Sequence, residues 1–350
     1  MNKLSRDLSA VTVVGLDLAK HVFQVCCVDG QGRIVVNRAL KRREVLSFFR
    51  GLPACLVGIE ACGSAHHWAR MLIGVGHEVK LMPPAYVKAY VRRQKNDAMD
   101  AAAIAEAVTR PTMRFVPVRS IDNQAHLMHH RVREMLVQQR TQIFNALRSH
   151  LGEVGVIAAQ GARNVRALAN LLSSGHEDIP VPVAQALQPL VRQIEKLDEE
   201  IAGLDKILAL AAKADADACR LMTIPGIGAH TAHAVTATLG SDGIAQFCGP
   251  REFAAFLGLT PRQNSSGGKT RLGKISKMGN QYIRKLLVVG AHAVLCHRDK
   301  HDDALRIWVR RLIANKPFKL VAVALANKMA RLIYALLKGQ GHYIKVMQPA

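Results

Sequence analysis

The run VTVVGLDLA, residues 11–19, constrains this chain more than any other stretch. It reads as an apolar strand with one carboxylate, Asp17, inside it, where an ion is costly without a partner. HVFQVCCV follows at once, DGQG supplies a turn and RIVVNRAL returns, so residues 11–38 read as a strand meander. KRREVLSFFRGL then reads as a helix, ACLVGIE as a buried strand, AHHWARMLIGVG as a second helix and HEVKLMPP as another strand. Strands and helices mixed at this spacing predict an α/β sandwich.

Four acids stand out by position. Asp17 lies mid-strand, and Glu60 ends ACLVGIE ahead of the small residues Ala61, Cys62 and Gly63. Asp97 and Asp100 open an alanine-rich helix, where Asn96 can cap and the dipole favours negative charge. The two aspartates are one turn apart and can face one point. Strand-borne acids converging with acids on a following helix would form an oxygen-only site suited to Mg²⁺, with two ions serving phosphodiester chemistry. The bland alternatives are a hydrogen-bonded core acid at 17, a surface charge at 60 and a helix cap at 97 and 100.

Residues 122–215 read as helical. Leu187, Leu190, Ile194, Leu197, Ile201, Leu204 and Leu208 alternate steps of three and four, the pattern of a coiled-coil seam. An earlier helix, roughly 124–151, repeats Met128, Val132, Met135/Leu136, Ile143, Leu147 and Leu151, with SSGHEDIPVP as a loop between the two. They would pack as an antiparallel hairpin or form an oligomer contact. From residue 216 on, IPGIG between helical stretches matches a helix-hairpin-helix, whose glycines Gly226 and Gly228 would let a phosphate approach the backbone. NSSGGKTRLGKISKMGN reads as a flexible loop that could place backbone amides, Lys269, Arg271 and Lys274 around a phosphate and present a serine hydroxyl. By composition alone an ordinary Ser-Gly loop is the stronger reading.

Charge narrows the partner. The chain of 350 residues has 48 Lys+Arg against 26 Asp+Glu, a net charge of +22. Residues 251–350 hold 19 bases and 4 acids, and residues 261–285 hold seven bases and no acid. So large an excess on a folded protein points to nucleic acid. Lys88, Arg92, Arg93 and Lys95 before the acid pair, and Lys277 beside the serine segment, belong to this surface. An aromatic share of 5% argues against recognition built on base stacking. Seven cysteines with no CxxC pair suggest reduced, mostly buried thiols, and His66-His67 and His126/His129/His130 lack a cysteine or carboxylate at ligand spacing. With no charge-free apolar run of about 18 residues and no signal-peptide core, a cytoplasmic protein without a membrane partner is expected.

GLDLAK, GIEACGSAHHWAR, KNDAMDA, IPGIG, GLTPRQNSSGGK and ISKMGNQYIRKLL, in this order, resemble the signatures of DEDD-type insertion-sequence transposases with a C-terminal serine domain. This is the IS one-ten family, and specifically its IS eleven-eleven branch, to which Piv-like DNA invertases are related. The resemblance implies a RuvC-like (ribonuclease-H-like) α/β domain over 1–121, a helical coiled-coil oligomerisation region over 122–215, and a mainly α transposase domain with helix-hairpin-helix over 216–350. It implies a Mg²⁺-binding DEDD site at Asp17, Glu60, Asp97 and Asp100. Its serine nucleophile falls on Ser266 by register from GLTP, with adjacent Ser265 as the alternative, and forms a 5′-phosphoserine link to DNA. Donor and target DNA, a structured bridge RNA from the element's own non-coding end, dimers to tetramers and a bacterial, nucleoid-associated setting are implied as well. A metal-only RuvC-like resolvase and a non-catalytic DNA-binding scaffold are the competing readings. GLDLAK also resembles the first phosphate loop of actin-like ATPases, but the second Asp-Gly-Gly loop is absent from the sequence.

Overall fold

A computed structural model of the protein describes residues 8–91, 96–175, 177–239, 243–339 and 341–344. The chain divides into two compact units, Met1–Ser120 and Ile121–Ala350. Residues 122–215 and 216–350, separated in the sequence reading, thus lie within one unit.

The first unit follows the predicted order. Strands β1 (Val11–Asp17), β2 (Val22–Asp29) and β3 (Ile34–Lys41) form the antiparallel meander. Helix α1 (Val45–Arg50), β4 (Leu56–Glu60), α2 (Ala65–Ile73), β5 (Glu78–Met82), the short α3 (Pro84–Val87) and α4 (Asp97–Val108) follow. The sheet order is β3-β2-β1-β4-β5, with β4 parallel to β1 and β5 parallel to β4. Successive strand residues face opposite ways. Val14, Leu16, Phe23, Val25, Cys27, Val57 and Ile59 therefore share a core with Phe49, Trp68 and Leu72 of α1 and α2. Val13, Leu56 and Met82 belong to a second cluster with Ile104, Ala107 and Val108 of α4. The result is an α/β/α sandwich.

Two glycines set how closely α4 sits. Gly15 and Gly58 are register partners on β1 and β4. A Cβ on Gly15 would lie 2.0 Å from the Ala101 carbonyl oxygen and 2.5 Å from the Ala105 nitrogen; one on Gly58 would lie 2.8 Å from Val108 Cβ. The bare backbone at both positions forms a saddle for the small residues of α4. Gly15→Val should lift the helix and destabilise the unit by about 3 kcal/mol or more, the upper end for overpacking, measurable by urea denaturation. A loss below about 0.5 kcal/mol would show that α4 is not seated there.

The second unit is almost wholly helical, as read. Helices α5 (Ile121–Glu153), α6 (Ala162–Ser174) and α7 (Val181–Ala214) come first. Arg133 pairs with Asp205 and Arg140 with Asp198, seven residues apart in opposite directions, so α5 and α7 run antiparallel. Leu187, Ile194, Leu197, Ile201 and Leu208 are buried, with Leu190 and Leu204 half-buried. Leu187, Val191 and Ile194 pack with Phe144, Leu147 and Leu151 of α5 and Val165, Leu168 and Leu172 of α6. Of the two arrangements expected for this seam, the intrachain hairpin is found. Met128, Val132 and Met135 depart from the reading, because they are exposed on α5. SSGHEDIPVP is only partly a loop: α6 runs to Ser174 and α7 begins at Val181.

Helices α8 (Ala216–Leu221), α9 (Ala229–Leu239) and α10 (Pro250–Phe256) precede a two-stranded ribbon, β6 (Pro261–Ser266) and β7 (Lys269–Ile275). Helices α11 (Gln281–Cys296), α12 (Ala304–Ile313) and α13 (Phe318–Gly339) complete the unit. α13 is long and apolar enough to cross a membrane by composition alone. Its Val321, Leu325, Met329 and Ile333, however, lie in the core built with α9, α10 and α11. Three of the seven cysteines, Cys26, Cys27 and Cys55, are buried, whereas Cys62, Cys248 and Cys296 are exposed. Burial pushes the Cys26 and Cys55 thiols up to about 11 and Cys27 to about 12, which keeps them protonated and inert.

Candidate functional site

The four acids are delivered by this architecture. Asp17 and Glu60 stand two residues beyond Gly15 and Gly58, on the same sheet face and at the C-terminal ends of adjacent parallel strands. The saddle seats α4 along that face, and its first turn brings Asp97 and Asp100 to the same end. One ligand oxygen from each of Asp17, Asp97 and Asp100 lies within 4.8 Å of the others. Among the described residues this is the one group of three acids, histidines or cysteines so placed. Glu60 is close enough to feel it: burial first, then the charges of Asp17 and Asp100, hold its carboxyl above the usual glutamate range. Crowded carboxylates with a partly desolvated neighbour fit a hard divalent cation held by oxygen.

The capping reading also holds. Asn96 accepts a hydrogen bond from the Ala98 amide at 3.0 Å, in extended geometry. The cap leaves the carboxylates of Asp97 and Asp100 beside Asp17. Of the bases before the pair, Lys88 is exposed on a 3-10 turn, while Arg92, Arg93 and Lys95 lie outside the described residues.

The serine segment is not a loop. It is the β6–β7 ribbon, closed by Gly267 and Gly268 at φ 56 and 76, the left-handed pair a two-residue hairpin turn requires. Residues 261–274 are exposed on both strands. Pairing Ser266↔Lys269, Ser265↔Thr270, Asn264↔Arg271 and Gln263↔Leu272 gives the ribbon two unlike faces. Ser266 shares one with Asn264, Lys269 and Arg271; Ser265 shares the other with Gln263, Thr270 and Leu272. Gln263 Nε2 donates to Ser265 Oγ at 2.8 Å. The root is fixed by close backbone approach: a Cβ on Gly258 would lie 2.1 Å from the Met278 oxygen, and one on Gly279 1.8 Å from the Phe256 oxygen. Lys277, at φ 55, donates its amide to the Gly258 oxygen at 3.1 Å. Lys274 is exposed on β7.

Between α8 and α9, Gly226 has a packing role: a Cβ there would lie 2.7 Å from the Gly290 oxygen and 2.8 Å from Val294 Cγ2, so this turn rests directly on α11. Gly228 is exposed at the start of α9, with open space around its Cα.

His66, His130 and His233 make hydrogen bonds within the fold. His66 holds Arg119 through both ring nitrogens, at 3.2 Å each. His130 bridges Tyr282 Oη and His233 Nδ1, both at 3.1 Å. Burial first, then the nearby His233, His230, Arg133 and His126, push His130 down to about 3, and burial first lowers His233 as well. Both favour the neutral form in the fold, so the stability they contribute is intact above the ordinary value of 6.5 and is lost as pH falls below it, for His130 down to about 3. His130 should cost roughly 1.4 kcal/mol per pH unit within that window. Thermal melts from pH 7 to 4 should fall steeply and flatten in His130→Gln; an unchanged slope in that variant would assign the acid sensitivity elsewhere.

Comparison with known proteins shows the family. Residues 14–155, which contain all four acids, match a family model described as "Transposase" of the DEDD type. Residues 218–305, which contain the ribbon, match "Transposase IS116/IS110/IS902 family". The chain is 46% identical to "Probable family 20 transposase" of Pseudomonas aeruginosa, over 94% of this chain and 98% of the relative. It is 39% identical to "Transposase for insertion sequence element IS1111A" of Coxiella burnetii, over 97% and 93% of the two chains. The corresponding figures for "Transposase for insertion sequence element IS1328" of Yersinia enterocolitica are 36%, 93% and 96%. The chain belongs to the IS116/IS110/IS902 family of transposases, enzymes that cut and rejoin DNA.

Proposed function

We propose that this transposase cuts and rejoins DNA with a magnesium site at Asp17, Glu60, Asp97 and Asp100 and a serine nucleophile at Ser266. The observation that carries the reading is the convergence of Asp17, Asp97 and Asp100, with Glu60 perturbed beside them. When bound, two Mg²⁺ ions would supply charge neutralisation at the scissile phosphate and lower the pKa of the attacking hydroxyl. The four carboxylates would hold the cations, and the first turn of α4 sets Asp97 and Asp100 against Asp17.

Ser266 is favoured over Ser265 by its company on the ribbon. Lys269 and Arg271 on its face offer cations to a phosphate, whereas the Ser265 face offers neutral groups and Leu272. In the reaction, Ser266 Oγ forms an ester bond to phosphorus as the 3′ oxygen leaves with a proton; the serine's own proton passes to solvent or a nearby base. A 3′-hydroxyl of the strand to be joined later attacks that ester and restores the serine. The bond energy is conserved, so no external energy source is needed.

Lys88, Arg92, Arg93, Lys95, Lys269, Arg271, Lys274 and Lys277 are proposed to contact donor and target DNA through phosphate. At the α8–α9 turn Gly228 is the open position, while Gly226 supports it from beneath. Sequence choice is proposed to lie in a structured bridge RNA from the element, with the protein as a dimer to tetramer in the bacterial cytoplasm, on the nucleoid. The test is recombination between donor and target plasmids with and without the RNA transcribed from the DNA flanking the reading frame. Exchange is expected only when the RNA is present; equal exchange without it would remove the guide from the account.

A further inference from the structure

The glycine saddle leaves one part of α4 unexplained. It seats the helix from Ala101 onward, whereas Asp97 and Asp100 belong to the turn before. A first turn lacks intrahelical partners for its amides and frays readily. Here it also carries two carboxylates that face a third within 4.8 Å, and like charges at that range push apart.

A chain of amides crosses to that turn. Asn37 on β3 donates from Nδ2 to the Ala98 carbonyl oxygen at 3.0 Å. Gln24 on β2 donates from Nε2 to Asn37 Oδ1 at 2.6 Å. Gln24 is the register partner of Asp17, and Asn37 that of Cys26, so all three side chains lie on the α4 side of the sheet. We propose that Asn37, oriented by Gln24, is a positioning residue that ties the first turn of α4 to the meander and thereby sets Asp97 and Asp100 against Asp17. The inference rests on the cation-site reading above and names two residues that reading does not use.

The chemistry at each position is specific. Position 37 must donate to a carbonyl and accept from Gln24 at once, which an amide does and a carboxylate does not. Gln24 then decides which end of the Asn37 amide faces the helix. The two act in series, so removing the second link after the first should cost little more.

Direct Mn²⁺ titration of the full chain without nucleic acid, following free Mn²⁺ by electron paramagnetic resonance, tests this independently of turnover. Loss of a group that orients a ligand costs metal affinity about 10- to 100-fold. Asn37→Ala should weaken Mn²⁺ binding by about that factor and Gln24→Ala by a smaller one, with the double variant no worse than Asn37→Ala. The melting temperature of the metal-free protein should change little, because neither side chain fills the core. Gln24 donates to Asn37 and is not one of the four acids, so Gln24→Ala tests the link even if Asn37→Ala folds poorly. Asp17→Asn serves as the control for the underlying reading: if it binds Mn²⁺ like the wild type, the cation site itself is wrong. If Asp17→Asn loses binding while Asn37→Ala and Gln24→Ala keep it, or if their two losses multiply in the double variant, the positioning role is overturned.

Discussion

Asp100→Asn is expected to reduce DNA strand cleavage by at least about 10³-fold, since a bound cation supplies several kcal/mol of charge stabilisation and each 1.4 kcal/mol is tenfold in rate. The same variant should melt at or above the wild-type temperature in the absence of metal, because one crowding charge has been removed. Glu60→Gln should behave alike. Its carboxyl is held above the ordinary glutamate range by burial and by Asp17 and Asp100, so what it contributes to stability is present below that range and lost as pH rises through the raised value. The charged form is a liability that glutamine lacks. Added magnesium should raise the melting temperature of the wild type and leave both variants unmoved. Gel-based cleavage and thermal melts with and without Mg²⁺ check this. Wild-type cleavage by Asp100→Asn would return Asp97 and Asp100 to a capping role.

Ser266→Ala should abolish covalent trapping on a suicide DNA substrate and lower recombination by on the order of 10⁴-fold or more, the scale on which lost nucleophiles act. Ser265→Ala should stay within about tenfold of wild type, as a loss of one interaction worth roughly 1 kcal/mol. The asymmetry follows from the ribbon's register, which puts the two neighbours on opposite faces. Adducts or recombination persisting in a Ser265→Ala/Ser266→Ala double variant would favour a metal-only nuclease.

Much of this was legible in the sequence, for identifiable reasons. Asp17 broke an apolar run, Glu60 ended one, and Asp97 and Asp100 stood one turn apart, so each violated or punctuated a period that burial imposes. The order of strands and helices in the first unit was readable because its sheet is covered on both sides. Gly15 and Gly58 were not readable as a saddle, since only the register between β1 and β4 makes them neighbours. Gln24 and Asn37 looked like ordinary polar strand residues until the meander paired them. The ribbon was missed because both of its faces are solvated, so PRQNSS and KTRLGKI carry no apolar alternation; the Gly267-Gly268 pair was the one local signal available. Met128, Val132 and Met135 show the opposite failure, a heptad-like spacing whose residues stay exposed. Spacing reports that a face is apolar and not what covers it.

In the proposed reaction DNA becomes joined to one serine with the help of an acid-held cation. Mass spectrometry of proteolysed wild-type protein, after incubation with a suicide DNA substrate and Mg²⁺, tests it most directly. A nucleotide-bearing peptide is expected, its modification mapping to Ser266 and disappearing when the metal is chelated. A 5′-phosphate released to water with no modified peptide, or an adduct that forms undiminished in Asp17→Asn, would contradict it.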